Sequence, residues 1–184
     1  MTDLLVCAPS YFNIDYEINP WMSVDVDIDP GLASAQWERM CSKLEHAGAN
    51  LHYIEPMHGF PDMVFTANAG LVYGKTVILS NFKHVERQGE KLFFKSWFLK
   101  HGYRVVELPD HINFEGEGDA LFFGDTLFMG CGFRSDPECH SIISKAFNVD
   151  VVSCELIDPR FYHLDTCFFP MKNRIVYYAK AFSK

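Results

Sequence analysis

The chain has 184 residues, 48% of them apolar and 22% charged, with a net charge of −8. That length supports one domain with a substantial buried core, and the acidic balance excludes the basic stripe of a nucleic-acid binder. No apolar run approaches the ~18 residues that span a bilayer, and the start, MTDLLVCAPS, lacks the charged and apolar regions of a secretory leader. The six cysteines show no CxxC pair, so reduced thiols in a cytoplasmic protein are expected.

In chain order, Leu4–Ala8 reads as a short β run followed by a loop through Pro20, the tail of a unit that begins elsewhere. Residues 30–47 read as a helix, with Asp29 as the capping residue, Pro30 at the first helical position and Gly48 as the left-handed stop. Residues 50–82 form a first module: a β run, a Pro-containing loop, a second β run, the tight turn YGKT (73–76) and a third β run. A helix over 85–101 ends at Gly102. Residues 103–133 repeat the module with the turn FGDT (123–126). Pro137 opens a helix over 137–147. Residues 149–182 give the third module, with the turn PMKNR (170–174). The turns recur at a period of about 50 residues, the signature of a repeat architecture whose units bury their faces against one another.

The second β run of each module carries polar groups where apolar residues are expected. These are Asn68 in VFTANAGLV, then Glu115, Glu117 and Asp119 in FEGEGDALF, then His163 and Asp165 in FYHLDTCFF. Glu115 and His163 stand at the same distance ahead of their turns. Burying an unpaired polar group costs about 2–7 kcal/mol by transfer data, so matched interruptions in successive modules point to one shared site. Read as an extended strand, 161–170 places His163 and Cys167 roughly 13 Å apart at ~3.3 Å per residue. That is too far for a nucleophile and its base or for two ligands of one zinc. Cys167 then reads as a small buried hydrophobe. Cys139 and His140 are helix neighbours pointing apart, and no metal site is expected. GEGD lacks the lysine and helix start of a phosphate-binding loop.

The motifs FTANAG (65–70), FEGEGD (114–119), GFRSD (132–136) and HLDT (163–166) resemble those of the guanidino-group-modifying enzymes of the pentein superfamily. That group includes arginine deiminase, dimethylarginine dimethylaminohydrolase, amidinotransferases and arginine dihydrolases. The resemblance implies an α/β fold, a pentein-type α/β propeller of repeated ββαβ modules, present only as its front part (about three of five modules). Residues 1–184 would then be a single catalytic-type domain, incomplete at the C-terminus. It also implies a covalent Cys-His-Glu mechanism in which a thiolate attacks the guanidinium carbon. His163 is then the general acid/base and Glu115 its carboxylate partner, with Glu117 the alternative because FEGEGD has an extra residue before its Asp. Asp165 would contact the guanidinium and Arg134 the substrate α-carboxylate. Asn68 stands where deiminases carry an aspartate, which favours the arginine dihydrolase branch. Asn19 in INPWM resembles a second amide of that branch, and Arg87 is a further candidate on a mobile loop. None of the six cysteines stands in the nucleophile's context, so this chain alone is expected to be inactive.

The implied activity is a hydrolase acting on arginine or a close derivative, in arginine metabolism. The alternatives are an amidinotransferase, which hands the amidino group to an amine, and a non-catalytic binding protein on the same fold. No cofactor is implied. The expected partner is a small guanidino molecule, with neither nucleic acid nor membrane, and a homo-oligomer is compatible with such an enzyme.

Overall fold

The computed structural model describes residues 2–183. Contacts along the chain gather into two compact units, Met1–Thr66 and Ala67–Lys184. In the first, β1 (Thr2–Cys7) pairs in parallel with β2 (Ala49–Ile54), from Thr2 opposite Ala49 to Cys7 opposite Ile54. A parallel pair needs a long crossover, and α1 (Pro30–His46) supplies it. Asp29 caps α1 by accepting from the backbone N–H groups of Gly31 and Leu32 with one carboxylate oxygen. Gly48, at φ 90°, turns the chain out of the helix into β2.

The second unit repeats one motif. An antiparallel hairpin, β3 (Gly70–Tyr73) and β4 (Thr76–Leu79), is joined by a parallel strand β5 (Arg104–Val106). The connection runs through α2 (Val85–Gln88) and α3 (Glu90–Lys100), so the helix expected over 85–101 is divided at Gly89. The hairpin of β6 (Ala120–Phe123) and β7 (Thr126–Cys131) is extended in the same way by α4 (Glu138–Phe147) and the parallel strand β8 (Asp150–Glu155). A third hairpin follows, β9 (Phe168–Met171) and β10 (Arg174–Tyr177). Gly74 and Gly124 take φ 59° and 60° at the first turn position, as two-residue hairpins require.

The core of this unit lies between the first two motifs. Leu71 and Ile78 from β3 and β4 pack with Phe114, Leu127, Met129 and Ile143, all at or near zero exposure. Each such side chain contributes about 1.5–3 kcal/mol by leaving water. Among the described residues no helix is long and apolar enough to cross a membrane.

The polar interruptions do not lie on strands. Thr66–Ala69, Gly116–Gly118 and Leu164–Thr166 are single 3-10 turns that lead into β3, β6 and, after Cys167, β9. The extended reading of 161–170 is therefore corrected. The Leu164 N–H donates to Asp119 Oδ1 at 3.0 Å, and the Thr166 hydroxyl and N–H both donate to the His163 carbonyl. The bonds within the turn, with the anchor on Asp119, outcompete a strand ladder over those residues.

Candidate active site

The three turns of the second unit bring a charged cluster together inside the protein. Glu115, at 0% exposure, immediately precedes the Gly116–Gly118 turn, and Asp119, at 1%, immediately follows it. Gly116 makes this turn possible: it sits at φ 64°, and a Cβ there would lie 2.6 Å from the Ala67 carbonyl oxygen. His163 enters between the two carboxylates. Its Nε2 is 3.2 Å from Glu115 Oε2, and its Nδ1 is 3.0 Å from Asp119 Oδ2. The Nδ1 contact is one of charge, since the ring N–H is not aligned for a hydrogen bond.

Each carboxylate is further held. Arg134 Nη1 donates to Glu115 Oε2 at 2.8 Å, and the Lys83 N–H donates to Oε1 at 3.2 Å. The Ser135 hydroxyl donates to Asp119 Oδ2 at 2.7 Å and accepts from the Glu115 N–H at 3.0 Å, so it ties the two acids together. At the Nε2 edge, Asn68 Nδ2 donates to the Glu115 carbonyl at 3.1 Å and lies 3.5 Å from His163 Nε2. Asn68 Oδ1 accepts from Arg87 Nη1 at 3.1 Å, and Arg87 grips Glu90 with both Nε and Nη2 at 2.9 Å.

The protonation states follow from these contacts. Burial disfavours the charged form of His163, but Asp119 and then Glu115 more than reverse this and hold the imidazolium well above its ordinary range. Burial likewise pushes Glu115 towards neutrality, yet His163, Arg134 and, at longer range, Arg87 keep it ionised far below the usual carboxylate range. The result is a buried array in which every full charge has an opposite neighbour, the condition under which such charges are tolerated.

The site residues expected from the sequence are placed unequally. Glu115, His163 and Asn68 meet directly. Glu117 does not join them: the turn carries its carboxyl to the Val72 backbone, where desolvation raises its pKa, so the carboxylate facing the ring is that of Glu115. Arg134 lies against Glu115 with its guanidinium 4.9 Å from the Tyr162 ring centre, and it is only 3% exposed. Arg87 is on α2 and buried at 3%, not on a mobile loop. Asp165 is exposed beside the cluster. Partial desolvation raises its carboxyl to about 6, opposed by the charge of His163 and reinforced by Asp119. Asn19 belongs to the first unit, where its side-chain oxygen accepts from the Trp21 N–H at 2.9 Å in a local turn.

Four cysteines of this unit carry thiols whose pKa burial raises: Cys131, Cys139, and Cys154 and Cys167 at about 11. In the first unit, Cys7 and Cys41 are buried. Among the described residues no group of three or more His, Cys, Asp or Glu could hold a metal ion.

A family model described as N,N dimethylarginine dimethylhydrolase, eukaryotic, matches residues 9–180. The chain belongs to this family. As a member of the dimethylarginine dimethylhydrolase family it is 47% identical over 183 residues to the bifunctional arginine dihydrolase/ornithine cyclodeaminase ArgZ of Synechocystis sp., an alignment that takes in 97% of this chain and 26% of ArgZ. It is 42% identical to the N(G),N(G)-dimethylarginine dimethylaminohydrolase of Mycobacterium tuberculosis, over 95% of this chain and 58% of that protein. In three dimensions it matches the crystal structure of the N-terminal domain of ArgZ, a cysteine-to-serine mutant bound to substrate, with a TM-score of 0.94 and 46% identity. That match covers 98% of this chain and 68% of the other. The α/β fold is therefore shared with the N-terminal domain of ArgZ. The chain spans about a quarter of the length of the first curated relatives it matches.

Two groups of the site, Ser135 and Glu90, are unmarked in the sequence, and Asp119, one of the polar interruptions, carries no role there. Asp119 stood in the acid-rich run and shared its alternation with Glu115. Ser135 is adjacent to Arg134 in GFRSD. Glu90 lies three residues after Arg87, the spacing at which helical ion pairs form.

Proposed function

We propose that the protein hydrolyses the guanidino group of arginine or a close derivative by covalent Cys-His-Glu chemistry, with His163 and Glu115 as its proton-transfer pair. The observation that carries this is the 3.2 Å contact between the buried Glu115 carboxylate and the His163 ring. Beside it stands an accessible carboxyl at Asp165, a group suited to the N–H edges of a planar cation, and Asn68, whose NH₂ faces the ring. The relatives support the reading: ArgZ is named for arginine dihydrolysis, and the mycobacterial protein for dimethylarginine hydrolysis.

In this proposal a cysteine thiolate attacks the guanidinium carbon and forms a C–S bond. His163, charged at neutral pH, gives its proton to the departing nitrogen as the C–N bond breaks. The neutral ring then takes a proton from water, whose oxygen attacks the same carbon. Cleavage of the C–S bond releases the ureido product and regenerates the thiolate. Glu115 stays ionised throughout and stabilises the imidazolium. Asp165 and Asn68 hold the substrate, while Arg134 and Arg87 act on Glu115 and Asn68. Asn19 is assigned to substrate contact from its motif alone. The raised thiols of buried Cys131, Cys139 and Cys167 and of half-buried Cys154 do not suit the attacking role, so we assign the thiolate to sequence outside these 184 residues. The repeated hairpin–helix–strand motif is read as the blades of a pentein-type propeller, about three of five, within one catalytic-type domain. The chemistry needs no cofactor, and a cytoplasmic site of action suits six cysteines without a CxxC pair.

Two measurements on the purified chain test this. Calorimetric titration should give binding of L-arginine and none of L-lysine, which has the charge but not the planar fork. Incubation with arginine should release no ammonia. Equal binding of the two amino acids contradicts the guanidino assignment, and ammonia release contradicts the external nucleophile.

A further inference from the structure

Asp119 holds His163 and the residue after it with its two carboxylate oxygens. Its Oδ1 accepts from the N–H of Leu164, the residue directly after the histidine, at 3.0 Å. Its Oδ2 lies 3.0 Å from His163 Nδ1. One carboxylate thus holds both the backbone that leads out of His163 and the edge of its ring. The carboxylate is itself fixed: Ser135 donates to Oδ2 at 2.7 Å, and the Gly130 N–H donates to the Asp119 carbonyl at 2.8 Å. Space for this arrangement depends on Gly130, where a Cβ would lie 2.9 Å from Leu164 Cβ and 3.0 Å from Asp119 Oδ1.

We infer that Asp119 is a positioning residue for His163, turning its Nδ1 edge inward and so keeping Nε2 directed at Glu115 and Asn68. The inference rests on the reading of His163 as the proton-transfer group. A cap for the Leu164–Thr166 turn needs only a neutral acceptor at Oδ1, which an amide would supply. A carboxylate at 1% exposure is a costly way to achieve that alone. The charge inventory explains it. Arg87 is matched by Glu90 and Arg134 by Glu115, which leaves Asp119 facing His163 as the remaining pair. Glu115 at Nε2 and Asp165 on the histidine's own turn also act on the ring. A neutral imidazole would leave Asp119 buried without a cation, so the aspartate binds ring orientation and ring charge together.

The test is the pH titration of the His163 ring nitrogens by NMR in the intact chain, which needs neither substrate nor turnover. In Asp119→Asn, with the fold verified by circular dichroism, the acid dissociation constant of His163 should rise about tenfold or more. An unchanged titration and tautomer, with only the melting temperature lowered, reduces Asp119 to a turn cap and overturns the inference. If that variant does not fold, Ser135→Ala decides. Loss of the hydroxyl donor leaves the Asp119 carboxylate to face the ring unshared, so His163 should hold its proton to higher pH. A titration that is unmoved or shifted downward overturns the inference. Absence of arginine binding would refute the proposed function while leaving this titration untouched.

Discussion

Arg87 fixes which way Asn68 faces. Its Nη1 donates to Asn68 Oδ1 at 3.1 Å, and a guanidinium offers no acceptor, so the Asn68 NH₂ must turn to the Glu115 carbonyl and the His163 ring. Glu90 holds the other edge of Arg87 by a two-pronged pair, which a lysine cannot reproduce. Arg87→Lys should therefore keep the fold but loosen Asn68. The expected result is a stability loss of about 1–3 kcal/mol, the cost of buried groups left unsatisfied. In urea melts, Arg87→Lys should fall measurably below wild type, with the Asn68 side-chain amide signals broadened or moved.

Glu115 and Glu117 should respond in opposite directions to the same change. Glu115→Gln strips the charge facing both Arg134 and His163 in a buried site. Breaking such a pair costs about 3–5 kcal/mol, and the midpoint of denaturation should fall accordingly. Glu117 has a carboxyl raised by desolvation and held only in part by the Val72 backbone. Glu117→Gln should leave stability unchanged or slightly increased at pH 8, and closer to wild type at pH 4, where the native carboxyl is already neutral. Parallel thermal melts at the two pH values distinguish the variants.

The pH dependence of stability has a defined sign at each end. His163 is raised from 6.5 to about 9 in the folded protein, so its contribution is complete below 6.5 and disappears as pH rises through 9. Glu115 is lowered from 4.5 to about 2, so its contribution is complete above 4.5 and disappears as pH falls through 2. Between 4.5 and 6.5 both act in full. His163→Gln should flatten the alkaline side of the stability curve above pH 6.5, measured by urea denaturation across pH, and lower the plateau.

Gly118 separates site from scaffold. A Cβ there would lie 2.5 Å from Asn68 Nδ2 and 3.4 Å from the His163 ring. Its φ is unexceptional, so the cost of Gly118→Ala is steric, about 1–3 kcal/mol for overpacking. The prediction is displacement of the His163 and Asn68 signals with little change elsewhere in the spectrum. A spectrum altered mainly in β6 and β7 would show instead that Gly118 serves the hairpin.

Much of this was legible in the sequence because it rests on local chemistry. Asp29-Pro30 and Gly48 bracket α1, Gly74 and Gly124 mark two hairpins, and the matched spacing of Glu115 and His163 led to the one contact that defines the cluster. What failed was conformational. The alternation of His163, Asp165 and Cys167 imitates a strand, yet the Leu164 N–H is drawn to Asp119, 45 positions earlier in sequence, and that single bond helps to set the turn. The same non-local bonding hid the role of Arg134. A basic residue at a helix approach gives no sign that it will be buried on a carboxylate 19 positions earlier.

The most direct test of the guanidino site is an NMR titration of the His163 ring signals with L-arginine, with L-lysine as control, in wild type and Asp165→Asn. The account predicts saturable movement of the His163 signals with arginine alone, weakened in the variant. No movement, or identical movement with lysine, would contradict it.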